Sequence, residues 1–361
     1  MSEERKAIAT LLGLVKNYSP SGREENAVIF LVQRMQELGF GRAYADGAGN
    51  AVGVMGEGER QVVLMGHIDT VPGEIDIRIE DDVLYGRGSV DAKGPLAAFV
   101  DAVAAVGPVE GWQFVVIGAV QEESNSDGAR FVVDQYQPDF TIIGEPSRWD
   151  RITLGYKGSM WAEVSITQSK AHTAADLDSA CEVAFQVWQK IKDHVKQVNA
   201  DHERAFDQLS PTLRHMDSGE DGFKEWSRLH IGTRLPLSVH PQDWFNTLKD
   251  IASPHEVRML GFPEVAYRAD KRNPLVSAFL QAVRSQDGKP GFVLKTGTAD
   301  FNIVGPAWGC PIVAYGPGDS RLDHTPEERQ VLAEYLKAVE VLKAVLSRLS
   351  GKRSVAQSEI K

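Results

Sequence analysis

"VVLMGHIDTVPG", residues 62–73, runs an aliphatic segment straight into a histidine, His67, and an aspartate, Asp69, two positions later. A continuous rather than alternating apolar run predicts a strand covered on both faces, as in an α/β sheet. Such a strand ending in two residues that resist burial needs a reason. In open α/β sheets, ligands bind beyond the carboxyl ends of strands, where loops gather groups from distant parts of the chain.

Other runs repeat the pattern. "FVVIGAVQEES" (114–124) ends in Glu122 and Glu123, and "FTIIGEPS" (140–147) ends in Glu145. Asp91 lies in "GRGSVDAKGP", just ahead of a helix expected over 94–107 with Pro95 in its first turn. His324 lies in "RLDHTPEE", after the run "PIVAYGPGD". Helices are expected over 3–17, 24–38 and 274–286, and from Pro326 to about Leu349.

Between residues 157 and 267 the pattern changes. "SMWAEVSITQ" alternates like a strand with one wet face, "CEVAFQVWQKIKDHV" is amphipathic, "RLHIGTRLPLSV" reads as a strand and "PQDWFNTLKDIA" as a helix. This is a compact α+β insertion. It splits an α/β domain into 1–156 and 268–361, and the tail "GKRSVAQSEIK" reads as frayed.

Composition sets outer bounds. The 361 residues are 42% apolar and 25% charged, enough for about two domains, and the net charge of −11 comes without any basic block. Nucleic acid and membrane are poor partners for such a chain. The N-terminus lacks the apolar stretch of a signal peptide, and no window approaches the roughly 18 apolar residues of a membrane span, so a cytoplasmic protein is expected. Two cysteines, Cys181 and Cys310, do not make a disulfide framework or a Cys-rich zinc module.

His67, Asp91, Glu122, Glu123, Glu145 and His324 amount to two imidazoles and four carboxylates arriving at one rim. Four carboxylates without a counter-charge repel, and burial would push their pKa values up until some neutralised. Divalent metal removes that problem. Mixed His and carboxylate ligands suit Zn²⁺, and one carboxylate can bridge two ions about 3.5–4 Å apart. On a strand, residues at i and i+2 leave the same face, so Asp69 is expected to accept the second N–H of His67 and fix its tautomer. Adjacent Glu122 and Glu123 on an extended backbone would point in opposite directions, one ligating while the other takes a proton from the attacking water.

"MGHIDTVPG", "YGRGSVDAKGPLAA", "QEESNSDGA", "IIGEPS" and "DHTPEE", in this order and spacing, resemble the di-zinc amidohydrolase and exopeptidase family, which includes acetylornithine deacetylase and succinyl-diaminopimelate desuccinylase. The resemblance implies a zinc-exopeptidase-like catalytic domain with a mixed sheet and an inserted α+β lid and dimerisation domain at 157–267. It implies two zinc ions, with cobalt as a substitute. One ion would be held by His67 and Glu145, the other by Glu123 and His324, with Asp91 bridging, Glu122 as general base and a cis peptide after Asp91. It also implies a homodimer in which His172 of "SKAHTAAD" polarises the scissile carbonyl across the interface. Where the family has a glycine three residues before that histidine, this chain has Ser169. Arg234 matches a family arginine that binds the substrate carboxylate, a task that suits the forked guanidinium. Gly297 and Thr298 of "KTGTADFN" match the family's substrate loop.

The wording of residues 66–100 is most similar to the lysine-biosynthesis branch. Its members release lysine, and sometimes ornithine, from the C-terminal glutamate of a small acidic amino-group carrier protein. Docking such a carrier calls for a local basic patch, for which Lys157, Lys170, Arg234, Lys271, Arg272 and Lys295 are candidates. The nearest alternative is a deacetylase of free N-acetyl-ornithine or N-acetyl-lysine. A catalytically dead binding module is disfavoured by the presence of Glu122 and every ligand candidate, and a two-metal phosphatase by the lack of a glycine-rich phosphate loop.

Overall fold

Four strands lie parallel, and their ends fall in one row. Arg60–His67 pairs with Trp112–Ala119 on one side and Phe140–Gly144 on the other, and Ile312–Tyr315 pairs with Phe140–Gly144. In that register His67 stands opposite Ala119, Gly66 opposite Gly144, and Tyr315 opposite Gly144. The loops that leave the row therefore start side by side, which brings residues far apart in sequence to one rim. Antiparallel strands Ala51–Met55 and Arg42–Ala45 extend one edge, and Arg151–Tyr156 lies beyond Ile312–Tyr315, so the sheet is mixed as expected.

The computed structural model describes residues 7–172 and 176–352. The frayed tail expected beyond 352 lies outside the described residues. The chain divides into two compact units: one runs to Gly155 and resumes over Ala269–Leu294 and from Ala299, and the other comprises Tyr156–Arg268 with Lys295–Thr298.

In the first unit, helix Lys93–Val106 is buried on nearly every side, which accounts for its almost unbroken apolar composition. Its Leu96, Phe99 and Val100 join Leu64, Val116 and Ile142 of the strands in one core. Gly144 permits that approach, since a Cβ there would lie 2.9 Å from Phe99 Cε2 and 3.0 Å from Gly66 Cα. Helix Leu332–Ser350 packs against the same helix, and Tyr335 donates to the partly buried Asp101 at 2.6 Å.

The last helix starts later than its sequence suggests. Residues Arg329–Val331 form a short strand against Val83–Tyr85 instead of the helix's first turn, and the helix begins at Leu332. Thr325 and Pro326 imitate a helix N-terminus, but the carboxylate of Glu328 is committed to backbone N–H groups of another segment.

The second unit is a four-stranded antiparallel sheet in the order Ser210–Glu220, Lys224–Leu235, Gly158–Ser169, Glu256–Glu264. Met160, Ala162, Val164 and Ile166 alternate into a core with Leu229, Ile231, Ile191, Trp244 and Leu248. Helix Ala180–Val198 opens with a Ser179–Glu182 capping box, and helix Pro241–Ala252 with proline in its first turn. No helix among the described residues is long and apolar enough to cross a membrane.

Candidate metal centre

His67 is buried at the end of its strand. Beyond it the backbone is pinned: Ile68 N donates to Ala119 O at 2.8 Å, Thr70 N to Ser19 O at 2.9 Å, and Ser19 Oγ to Ile68 O at 2.7 Å. The imidazole faces Asp91 Oδ1 through Nε2 at 3.2 Å. Its Nδ1 lies 3.0 Å from the backbone carbonyl of Asp69 and 3.5 Å from that residue's Oδ1. The expected carboxylate partner is thus the more distant of the two acceptors.

Asp69 spends its carboxylate elsewhere. Oδ1 accepts Glu122 N–H at 3.1 Å, while Oδ2 accepts Glu123 N–H at 3.1 Å and Ser21 Oγ–H at 2.7 Å. Two consecutive N–H groups aimed at one carboxylate are incompatible with extended backbone, and Glu122 and Glu123 indeed lie in a turn rather than on a strand. Gln121 enters that turn with a φ of 62°, and Asn50 holds its approach by accepting Val120 N–H at 3.0 Å. The alternation expected of adjacent glutamates on a strand does not apply here. The turn still gives the two side chains different surroundings.

Asp91 is reached from two sides. Its Oδ1 faces His67 Nε2 at 3.2 Å and its Oδ2 faces His324 Nε2 at 3.1 Å. His324, exposed and with a φ of 61°, also reaches Glu123 Oε1 at 2.8 Å. One ligand atom each from His67, Asp91 and Glu123 lie within 4.8 Å of one another. The Asp91–Ala92 peptide bond is cis, as the resemblance implies. Glu145 is buried just past its strand, where its charge raises the pKa of Glu122.

The electrostatics fit divalent cations. Burial, reinforced by Glu123, Glu145 and Asp300 against the opposing pull of His67, holds the Glu122 carboxyl well above the usual range. Asp300, buried and with Oδ1 lacking a hydrogen-bond partner, is pushed up to about 7, chiefly by burial. His324 is raised to about 10 by hydrogen bonds with Asp91 and Glu123. Burial works against the His67 cation, yet Asp69 and Asp91 hold it well above its ordinary value. Asp91 is depressed because hydrogen bonds from His324 and His67 outweigh its burial. Acids outnumber bases, and protons alone stand in for the missing positive charge. A donor set of two imidazole nitrogens and several carboxylates in that condition is what two divalent ions would neutralise.

Arg234, Gly297, Thr298 and His172 belong to the second unit. Arg234 Nη1 donates to Thr298 Oγ1 at 2.7 Å, so these two substrate-contact candidates lie together. Nothing lies within 4 Å of the position a Cβ would take on Gly297. His172 is exposed, and residues 173–175 beside it lie outside the described residues. Lys157 cannot serve a docking patch: it is 1% exposed, and its amine donates to Ala205 O at 3.0 Å, Ser210 Oγ at 3.1 Å and the Gln208 carbonyl. Lys170 pairs with Glu220 at 2.7 Å, whereas Lys271 and Arg272 are exposed.

Two buried acids of the first unit were not singled out from the sequence. Asp300 sits inside "KTGTADFN", and Glu328 is the last letter of "DHTPEE". Their presence in motifs already quoted was the only available signal.

Residues 63–348 match the family profile described as "Peptidase family M20/M25/M40". A protein of Deinococcus radiodurans described as a LysW-lysine hydrolase is 43% identical over 342 residues, spanning 92% of this chain and 94% of that protein. A LysW-lysine/LysW-ornithine hydrolase of Saccharolobus islandicus is 30% identical over 349 residues, spanning 94% and 96%. The crystal structure of an M20 family metallo-carboxypeptidase from Sulfolobus solfataricus superposes with a TM-score of 0.77 at 18% identity, covering 97% of this chain and 99% of that one, and so shares the fold.

Proposed function

Because the chain belongs to peptidase family M20/M25/M40, a family of metal-dependent hydrolases, we propose that it releases L-lysine from the C-terminal glutamate of the carrier protein LysW, with L-ornithine as a second released amine. The names of its relatives in Deinococcus and Saccharolobus support that substrate. In this reading the enzyme serves lysine and arginine biosynthesis in the cytoplasm as a homodimer joined through the second unit.

The observation that carries the hydrolytic reading is the double engagement of Asp91. Its two carboxylate oxygens face two different histidines, at 3.2 and 3.1 Å, as a carboxylate shared by two cations requires. His67 and Glu145 would hold one ion, Glu123 and His324 the other. Zinc or cobalt bound there supplies charge stabilisation at the scissile carbonyl oxygen and acidifies the attacking water.

The remaining chemistry falls to side chains. Glu122 takes the water's proton and delivers it to the leaving amine. Asp69 holds the backbone of Glu122 and Glu123 through two N–H groups, which fixes where the base stands. Arg234 grips the substrate carboxylate with its fork, with Gly297 and Thr298 beside it. His172 polarises the scissile carbonyl from the partner subunit.

The test is an activity panel on metal-assayed protein: LysW carrying lysine or ornithine, beside N-acetyl-lysine and N-acetyl-ornithine. Turnover of the carrier conjugates well above the acetylated amino acids is expected. A preference for the acetyl substrates would make the protein a small-molecule deacetylase instead.

A further inference from the structure

Glu328 is 1% exposed and pairs with Arg87, itself 8% exposed, at 2.8 Å between Oε2 and Nη1. Its other oxygen, Oε1, accepts two consecutive backbone N–H groups, those of Val90 at 2.9 Å and Asp91 at 3.0 Å. Arg87 also donates to the carbonyl of Gly73 at 2.9 Å, and Gly86 N–H reaches the carbonyl of Glu328. Glu328 therefore holds the segment 86–91 that delivers the Asp91 carboxylate, through its side chain at Arg87, Val90 and Asp91 and through its backbone carbonyl at Gly86.

We infer that Glu328 is a positioning residue that fixes the Asp91 carboxylate between the two ion sites and ties it to His324. This rests on the reading of Asp91 as a ligand shared by two ions. His324 lies four residues before Glu328, so the short stretch 324–328 carries both the second imidazole and the clamp on Asp91. Displacing that stretch moves an imidazole and the shared carboxylate together. An acid buried to 1% exposure is an expensive way to close a loop, since a neutral acceptor would satisfy the same N–H groups. What the charge adds is a rigid grip from Arg87 on one side and two N–H groups on the other, made shorter and stronger by ionisation.

The experiment uses the full-length protein stripped of metal and titrated with Co²⁺, read by calorimetry and by visible absorption. Glu328→Gln should weaken cobalt binding by about 10–100-fold, the range found for outer-shell partners of metal ligands, and should alter the absorption bands of the protein that remains folded. The double variant Arg87→Met/Glu328→Met removes both charges, leaving no buried guanidinium unpaired, and should show the same weakening in a folded protein. A variant that melts earlier yet titrates and absorbs like the parent would reduce Glu328 to a structural role and overturn the inference. Asp91→Asn separates the two readings. If it weakens cobalt binding while the Glu328 variants do not, only the positioning role fails; if it leaves cobalt binding unchanged, the shared-ligand reading fails and takes the inference with it.

Discussion

Replacing Asp69 by asparagine preserves shape and removes one acceptor, so its cost can be worked from the contacts. The carboxylate accepts three donors: Glu122 N–H on Oδ1, and Glu123 N–H with Ser21 Oγ–H on Oδ2. Asparagine offers one oxygen and one NH₂. Whichever way the amide turns, its NH₂ confronts a buried backbone N–H. The better orientation keeps Glu123 and Ser21 and abandons Glu122. An unsatisfied buried donor costs about 1–3 kcal/mol, and the loss of charge assistance on the remaining bonds brings the total to about 2–4 kcal/mol. For a unit of this size that corresponds to a fall in Tm on the order of 5–10 °C, read by calorimetry on metal-free protein. The released N–H is that of the proposed base, so kcat should fall by at least about 10²-fold, within the range that general-base catalysis supplies. His67 keeps the Asp69 backbone carbonyl at 3.0 Å, so its ring orientation survives. An Asp69→Asn variant fully restored by excess zinc would refute this reasoning, because it would place the work of Asp69 on the His67 ring rather than on the turn.

Glu122→Gln should cut kcat by about 10²–10⁴-fold while bound metal, measured by atomic absorption, stays at the parent level; parallel loss of metal would make Glu122 a ligand. Reversing the exposed Lys271 and Arg272 to glutamate should raise KM for the LysW conjugate and spare small acetylated substrates, and equal effects on both would remove these residues from docking. Metal-free protein should lose stability as pH rises. Asp300, up to about 7 in the fold against about 3.9 unfolded, favours the native state fully only below about 3.9, and that contribution fades through about 7. His324, raised to about 10 from about 6.5, contributes fully below about 6.5, and its share is lost as pH climbs through about 10. Melting curves from pH 5 to 9 with and without Zn²⁺ should therefore diverge toward alkaline pH, and a flat metal-free profile would contradict the assigned shifts.

What could be read from the sequence is what a short window contains. The switch from an aliphatic run to His67, to Glu122 or to Glu145 is local, and the parallel register then aligns those switches without further information. The helices at 180–198 and 241–252 were equally legible, since periodicity and caps lie within each segment. The polar strands Ser210–Glu220 and Glu256–Glu264 were not, because few of their side chains are buried and no alternation marks them. The misreadings share another cause. Gln121 takes a positive φ, and Glu122 and Glu123 turn together, because Asn50 and Asp69 supply acceptors from elsewhere in the chain. The last helix starts at Leu332 because Glu328 answers to Val90 and Asp91, and residues 329–331 answer to 83–85. In each case a local preference yields to a backbone group that must be satisfied across a long loop, since a buried N–H left alone costs more than a turn of helix gains. Two of the residues that override local preference in this way, Asp69 and Glu328, hold the backbone of Glu122, Glu123 and Asp91, so places where the sequence misleads mark the site as the motifs do.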